Sequence, residues 1–264
     1  MLKRLSNDCI KEANILGTGP CRGNYYANDI LKFVKSFATL KPTQKPYVFR
    51  PHMIPNFCTT FDFDFRFREE TVINDEEIYE LAQKCQKFTE EVTGKVVQIM
   101  ITRKNCKVYP KHSKREGDFY ASGCHFYFCK HRFTKSEMVA VRMKMNKEVL
   151  SERFNFLGIE EIIDTCVFPF GNTGIYLLGS PKPGTVYRHE FLAVIVEDGE
   201  VVECNDTFDR EHLMLFFENQ VVAEDCYISE NVVEIEDKAA RKLAQVKKKF
   251  RPPVENYVLE MRDD

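Results

Sequence analysis

A run of alternating residues, FDFDF, constrains the fold more than any other part of the sequence. A period of two places Phe61, Phe63 and Phe65 on one face of a β-strand and Asp62 and Asp64 on the other. The phenylalanines therefore predict a buried face. The two carboxylates project together, ~6.6 Å apart along the strand, and they repel each other unless a positive charge lies between them. A divalent cation relieves such repulsion, and magnesium prefers oxygen ligands.

The composition limits the class of protein. Of the 264 residues, 44% are hydrophobic and 30% are charged, which predicts a packed fold. The net charge of −2 excludes a strongly basic protein, although clustered Lys and Arg can still bind phosphate locally. The sequence has no apolar targeting segment near its start and no membrane-length apolar run. An intracellular protein with reduced thiols and no membrane partner is therefore expected.

Capping signals and periodicity outline the order of the elements. Asn74 is expected to cap a helix over 75–93, and Thr134 with Glu137 forms a capping box for a helix that ends near Phe154. Short apolar runs before, between and after these helices predict strands. The resulting order is strand, helix, strand, strand, helix, strand. This split βαβ pattern predicts an α+β fold with the helices on one face of a sheet and the other face open for chemistry.

Three regions are expected along the chain. Residues 1–50 are interpreted as an N-terminal α-rich extension that packs on the core, with a helix carrying Ile30 and Phe33. Residues 51–228 are expected to form the core. Residues 229–264 are expected to form a charged C-terminal helix and tail.

Further candidates for chemistry lie on or near the predicted strands. His125 follows Gly123 on one strand face, where the glycine leaves room for a ligand and the imidazole can donate to a phosphate oxygen. Asp164 precedes a predicted strand, and Lys182 lies where another strand ends. Each has an ordinary alternative: a structural histidine, a turn-forming aspartate and a solvated lysine. Their shared order along predicted strands is what favours a site.

Three motifs in this order resemble the archaeo-eukaryotic primase superfamily. FDFDF is similar to its first motif, SGCHFYF to its second, and IIDTCVFPFGNTGIYLLGSPK to its third with the following strand and basic turn. The resemblance covers about residues 55–185. It is nearest to the primase portion of primase-helicases from poxvirus-like and other large DNA viruses.

The resemblance implies an RRM-like palm, two divalent ions (Mg²⁺ or Mn²⁺) and template-directed polymerisation of nucleotides in viral DNA replication. Its partners would be nucleoside triphosphates, a single-stranded DNA template and a separate helicase, because the chain has no GxxxxGK[ST] stretch. The location would be the host nucleus or cytoplasm. Asp62, Asp64 and Asp164 would be the catalytic metal ligands. The residues implied for nucleotide binding are His125, Lys182, Ser122 and Arg188.

One departure keeps alternatives open. The viral relatives tend to carry an arginine where this chain has Tyr176, and Arg188 or Arg50 would have to substitute. A degenerate, non-catalytic module that binds nucleic acid is one alternative. A metal-dependent nuclease using the same acids is another, and a structural protein with coincidental motifs is the third.

A basic stretch between two predicted strands is interpreted as a loop. It is expected either to grip template phosphates or to be an ordinary solvated loop. Its cationic residues are Arg103, Lys104, Lys107, Lys111, Lys114 and Arg115.

The cysteines favour buried thiols over a zinc site. The chain has ten cysteines and no CxxC pair. The nearest candidates for zinc are Cys124, Cys129 and His131, with Cys106 and His112 in the preceding loop. An odd spacing places Cys124 and Cys129 on opposite faces of a strand, which argues against a shared ion.

Overall fold

The computed structural model describes residues 2–5, 12–17, 22–39, 47–54, 56–176, 178–180, 187–204, 218 and 225–229. The helices are α1 (Ile30–Thr39), α2 (Asp75–Thr93) and α3 (Lys135–Glu148), with short 3-10 turns at Pro51–Met53, Glu152–Phe154 and Ile159–Glu161. The strands are β1 (Leu2–Leu5), β2 (Ile15–Gly17), β3 (Gly23–Ala27), β4 (Tyr47–Phe49), β5 (Thr60–Phe67), β6 (Ile99–Lys104), β7 (Tyr109–Ser113), β8 (Gly117–Phe128), β9 (His131–Arg132), β10 (Ile175–Tyr176), β11 (His189–Ile195), β12 (Val201–Glu203) and β13 (Tyr227–Ile228). The expected C-terminal helix and tail lies outside the described residues, apart from Ser229.

The larger sheet has the strand order β12-β11-β6-β8-β5, and β7 also pairs with β8. Neighbouring strands are antiparallel. Helix α2 connects β5 to β6, and β8 lies between those two strands. The protein is therefore an α+β fold, as the sequence predicts. None of the described helices is long and apolar enough to cross a membrane.

The two main helices begin as predicted. Asn74 accepts a hydrogen bond from the Glu77 amide and Gly94 ends α2 in the left-handed region, while Thr134 and Glu137 form the second capping box. Helix α3 ends at Glu148, earlier than expected, because the following residues turn into a separate 3-10 helix.

The side of the larger sheet that faces the helices is a hydrophobic core. The phenylalanines of β5 pack there with apolar residues of α2 and α3, including Ile78, Leu81 and Met138. Phe63 lies 4.5 Å from Phe126 between ring centroids. The predicted alternation along β5 therefore holds, since the phenylalanines are buried on one face and the acids lie on the other.

The N-terminal region forms a second sheet, with the strand order β1-β3-β2-β4-β10. The α-rich character expected of residues 1–50 is not confirmed, because the described part has four strands and one helix. Strand β4 pairs with β10 and β2. A second apolar cluster joins Phe49 and Val34 to Met100 and Tyr127 of the larger sheet. The N-terminal sheet thus covers part of the face that the sequence analysis expected to be open.

Two other segments differ from expectation. The basic stretch after β6 is not a loop throughout, because Tyr109–Ser113 forms β7 and pairs with the start of β8. The segment IIDTCVF is not a regular strand. Its pairing with β5 is a single bridge between Phe63 and Ile163, since Asp164 turns the chain by accepting a hydrogen bond from the Cys166 amide at 2.7 Å.

Candidate active site

A cavity of about 900 Å³ opens on the side of the larger sheet away from α2 and α3. This volume is in the range of sites that bind small molecules and cofactors. The lining combines acids, cations, two histidines and a partly apolar wall. The lining residues are Asp62, Asp64, Lys104, Tyr109, Pro110, Lys111, His125, Asp164, Val167, Thr173, Gly174, Ile175, Tyr176, Ser180, Tyr187, Arg188 and His189.

The three predicted acids all line this cavity. Asp62 and Asp64 project from β5. Asp164 is held beside them by the backbone, because its amide donates to the Asp62 carbonyl at 2.8 Å and the Asp64 amide donates to the Ile162 carbonyl at 2.7 Å. Asp164 follows the apolar pair Ile162 and Ile163 in the sequence. In the structure this pair lies along the edge of β5 that is not paired with β8. Pairing across this edge brings the third acid to the first two.

The electrostatics of the cavity reflect this crowding. Burial raises the pKa of Asp64, and the charges of Asp62 and Asp164 raise it further against the opposing pull of Lys104 and Arg66. About a third of the Asp64 side chain, 36%, remains exposed, so water screens part of the repulsion. The cavity is therefore an acidic centre whose negative charge is only partly compensated.

Lys104 is a second cation beside this centre, after Arg66, whose guanidinium lies 3.5 Å from an Asp64 carboxylate oxygen. Its ammonium donates to the Tyr109 hydroxyl at 2.9 Å. Burial lowers the pKa of Lys104, but Tyr109 and the two β5 carboxylates outweigh burial and raise the pKa above its usual value. Lys104 stays charged beside the acids.

His125 lies on β8 directly opposite Asp62 in the sheet register. Its Nε2 is 3.3 Å from an Asp62 carboxylate oxygen, and its Nδ1 is 3.2 Å from the Tyr127 hydroxyl. A second histidine, His189 of β11, stacks on its ring with centroids 3.9 Å apart and an interplanar angle of 16°. Burial lowers the pKa of His189 well below the usual value, helped by His125 and Lys104. The imidazole of His125 is thus fixed on three sides.

Two small residues shape the cavity. An added Cβ on Gly123 would lie 2.6 Å from the Phe63 carbonyl oxygen, so only glycine fits next to β5. Ser180 is 2% exposed, and its hydroxyl has no hydrogen-bond partner among the residues that the structure describes. Because a buried, unpaired hydroxyl is costly, Ser180 marks a position where a ligand would supply the missing bond.

The structure does not bring every predicted residue to this cavity. Ser122 faces the opposite side of β8, and its hydroxyl donates to the Lys107 carbonyl. This follows from strand alternation, because Ser122 and His125 are an odd number of residues apart. Lys182 lies outside the described residues. Arg50 is not among the described residues that line the cavity, and its guanidinium donates to the Ala13 carbonyl at 2.9 Å.

Tyr176 and Arg188 both line the cavity. The tyrosine takes the place where an arginine was expected. Arg188 enters from the segment before β11, and its guanidinium contacts Glu190 at 3.0 Å. Of the two arginines considered as substitutes for the missing one, Arg188 is therefore the one placed to act.

Carboxylate oxygens are the ligands that a hard divalent cation prefers. The three acids, however, are not arranged around one point. No group of three or more His, Cys, Asp or Glu side chains in the described part of the chain is arranged to hold an ion. Burial, and then the charges of Asp62 and Asp164, raise the pKa of the Asp64 carboxyl, and neighbouring carboxylates of this kind favour an oxygen-preferring cation. The Asp164 carboxylate would have to leave the Cys166 amide to join Asp62 and Asp64.

The zinc candidates are separated in the structure. Cys124 belongs to the helix-side core and Cys129 to the second cluster, as their odd spacing predicts. Burial raises the pKa of the Cys124 thiol, so this cysteine behaves as a buried apolar side chain.

Sequence reasoning missed His189 and Ser180 and gave Lys104 another role. Lys104 had a signal from strand alternation. It lies two residues after Thr102 and therefore shares the face of Thr102, whose hydroxyl contacts His189 in the cavity. His189 has a weaker signal as the first residue of the apolar strand HEFLAVI. The unpaired hydroxyl of Ser180 depends on tertiary packing and could not be read from sequence.

The fold and the cavity define an α+β protein with an acidic centre flanked by cations, suited to a phosphate-bearing ligand. Residues 25–191 match the family model described as the C962R protein N-terminal AEP domain, in which AEP denotes archaeo-eukaryotic primase. This match spans more than half of the chain, and the chain therefore belongs to the archaeo-eukaryotic primase superfamily, of the large DNA virus primase type. No curated protein matches the sequence.

Proposed function

We propose that this protein is a primase or primase-polymerase that joins nucleotides on a single-stranded DNA template during DNA replication. The observation that carries the proposal is that Asp62, Asp64 and Asp164 line one cavity, on the side of the larger sheet away from the helices, together with His125 and Lys104. In the proposed reaction, the 3′-hydroxyl of a strand attacks the α-phosphate of a nucleoside triphosphate, and pyrophosphate leaves.

The strand order supports the palm assignment. Strands β5, β6 and β8 with helix α2 form a split βαβ unit, and the Ile162–Asp164 segment lies on the other side of β5. This is the order 4-1-3-2 of an RRM-like sheet, with the irregular segment in the fourth position.

The triphosphate is proposed to lie between the acids and the cations of the cavity. His125 would exchange its Nε2 contact with Asp62 for a hydrogen bond to a phosphate oxygen, and Lys104 and Arg188 would neutralise phosphate charge. Ser180 would donate its unpaired hydroxyl to the same ligand. Held by these contacts, the α-phosphate would meet the attacking hydroxyl in a fixed orientation, which is the main contribution a protein makes to phosphoryl transfer.

Asp62 and Asp64, joined by Asp164, are the residues that would hold divalent ions. Bound Mg²⁺ or Mn²⁺ supplies charge neutralisation and lowers the pKa of the attacking hydroxyl. The charges of Lys104 and Arg66 partly compensate these acids.

The test is primer synthesis and extension by Asp62→Asn and Asp64→Asn variants. Loss of about 4 kcal/mol of transition-state stabilisation would lower incorporation roughly thousandfold in each. Asp198→Asn is the matched control, because Asp198 lies in the β11–β12 turn and an asparagine can still accept from the Glu200 amide. Incorporation by either site variant at the rate of the parent protein would refute the assignment.

A second incubation distinguishes the primase from a nuclease and from a non-catalytic module. Labelled single-stranded DNA is incubated with manganese, with and without nucleotides. Degradation that needs no nucleotide would indicate a nuclease that uses the same acids. Template binding without incorporation or degradation would indicate a non-catalytic module.

A further inference from the structure

On the face of the larger sheet that carries the acidic centre, the charge of the side chains changes from negative to positive along the strands. On β5, Asp62 and Asp64 are followed on the same face by Arg66, and Arg68 comes directly after the strand. The distance along the chain from Asp64 to Arg68 is ~13 Å. An acidic centre and a basic surface therefore lie side by side, a few nucleotide steps apart.

Strands β7 and β8 complete the basic surface. We define the basic patch as Arg66, Arg68, Lys111, Lys114 and Arg115, and all but Arg66 are classed as exposed. Glu116 and Asp118 also lie here, and each is engaged, Glu116 by Ser113 and Arg66 and Asp118 by His112. Glu69 and Glu70 follow Arg68 and are also exposed, so the five cations of the patch stand against four nearby acids.

The patch also contains aromatic rings. The Arg68 guanidinium lies 3.8 Å from the centroid of Phe156, and Phe156 packs edge-on against Phe119 with centroids 5.9 Å apart. The Lys111 ammonium lies 5.7 Å from the centroid of Phe119. The exposed side chain of Arg68 is therefore a planar cation supported by a ring, and unstacked bases pack on such planes.

Helix α2, on the opposite side of the larger sheet, exposes more acids than lysines. Its exposed acids include Glu76, Glu80 and Glu90. Arg103 and Lys107 belong to the basic stretch of the sequence, but both bind Asp75 at the start of α2. A polyanion is thus attracted to the patch and repelled by α2.

We propose that a single-stranded nucleic acid lies across the basic patch, with a base stacked on Arg68 and phosphates near Lys111, Lys114 and Arg115. The strand would leave or approach the acidic centre along this face. The identity of this nucleic acid as template or primer rests on the proposed function. The binding surface rests on charge and ring contacts alone.

The test measures binding of a labelled single-stranded oligodeoxynucleotide by fluorescence anisotropy, in chelator and without nucleotides. The double variant Arg68→Ala/Lys111→Ala is expected to bind about tenfold more weakly or worse, since base stacking and phosphate contacts are both lost. The slope of log affinity against log salt should fall by roughly 0.7, because Lys111 contacts a phosphate whereas Arg68 stacks on a base. The charge-matched control is Lys84→Ala/Lys147→Ala, because both lysines are exposed on the helix side.

Stacking is separated from charge by Arg68→Lys, which keeps the charge and removes the plane. This variant should bind several-fold more weakly, and the parent should prefer the single strand over a duplex of the same sequence. Parent-like affinity of the double variant, or an equal loss in the control, would overturn the proposal. Parent-like affinity of Arg68→Lys or equal binding of duplex would overturn the stacking role.

The same assay distinguishes this proposal from the proposed catalysis. Asp62→Asn and Asp64→Asn should still bind the strand in chelator. If they abolish incorporation while the patch variants bind like the parent, the catalytic assignment stands and the patch assignment fails. If the patch variants bind weakly and the aspartate variants incorporate normally, the reverse holds.

Discussion

The two faces of β5 differ in how completely their side chains are satisfied. On the helix side, Phe61, Phe63 and Phe65 are fully packed among other apolar residues. On the cavity side, Asp62 and Asp64 remain close enough for their charges to oppose each other. The same eight-residue strand therefore stabilises the fold with one face and holds unfavourable charge with the other.

This difference teaches where to look for function in a sheet of this kind. Like charges, a missing Cβ and an unpaired hydroxyl all lie on the cavity side. Each is a cost to the empty protein that a ligand can offset. Variants on the two faces should therefore separate stability from ligand binding.

The largest expected effect on stability is from Phe63→Ala. Removing a fully buried ring should lower the free energy of unfolding by about 3–5 kcal/mol. Asp64→Asn should leave that free energy equal or higher. The folded state raises the pKa of Asp64, so this carboxyl stabilises the fold only when protonated at low pH, and at neutral pH its ionised form destabilises the fold. Denaturant titration of both variants measures this difference, and a large loss in Asp64→Asn would break the comparison.

Gly123→Ala is expected to have an intermediate effect. The new methyl group would clash with the Phe63 carbonyl oxygen, and separating β5 from β8 should cost about 1–3 kcal/mol. Incorporation should fall more than folding stability does, because the clash lies between Asp64 and Lys104. Thermal unfolding and an extension assay on the same preparation test this. Unchanged stability would show that β5 and β8 accommodate the methyl group without a loss in the free energy of unfolding.

The smallest expected effect compares two buried serines, each 2% exposed. Ser122 donates to the Lys107 carbonyl, so Ser122→Ala should lower stability by about 1 kcal/mol. The Ser180 hydroxyl has no partner in the described part of the chain, so Ser180→Ala should raise stability by a similar amount, about 1 kcal/mol, while it raises KM for the nucleotide. Denaturant midpoints and steady-state kinetics measure both. A loss of stability in both variants would mean that Ser180 is not a ligand contact.

Local patterns were sufficient to predict the helix-side half of the molecule. Alternation fixed the faces of β5, and capping boxes fixed the starts of α2 and α3, because these features depend on residues close together in sequence. The same parity rule, applied to β8, would have excluded Ser122 from the site.

Features that depend on distant pairing were not predicted. The strands of the N-terminal sheet are short, and besides β2 the strand β4 pairs with β10, which is more than a hundred residues away. His189 reaches His125 because β11 pairs with β6. The sequence signals for such contacts are weak, since no local rule specifies which strands become neighbours.

The central claim is that the acids of the cavity side form a divalent-cation centre for a nucleotide. The most direct measurement is Mn²⁺ binding followed by electron paramagnetic resonance, with and without a non-hydrolysable nucleoside triphosphate. Tight binding that requires both β5 carboxylates and increases with nucleotide, while Asp198→Asn binds like the parent, is the predicted result. Manganese binding that is unchanged in Asp62→Asn/Asp64→Asn, or that is absent from the parent with nucleotide present, would contradict the account.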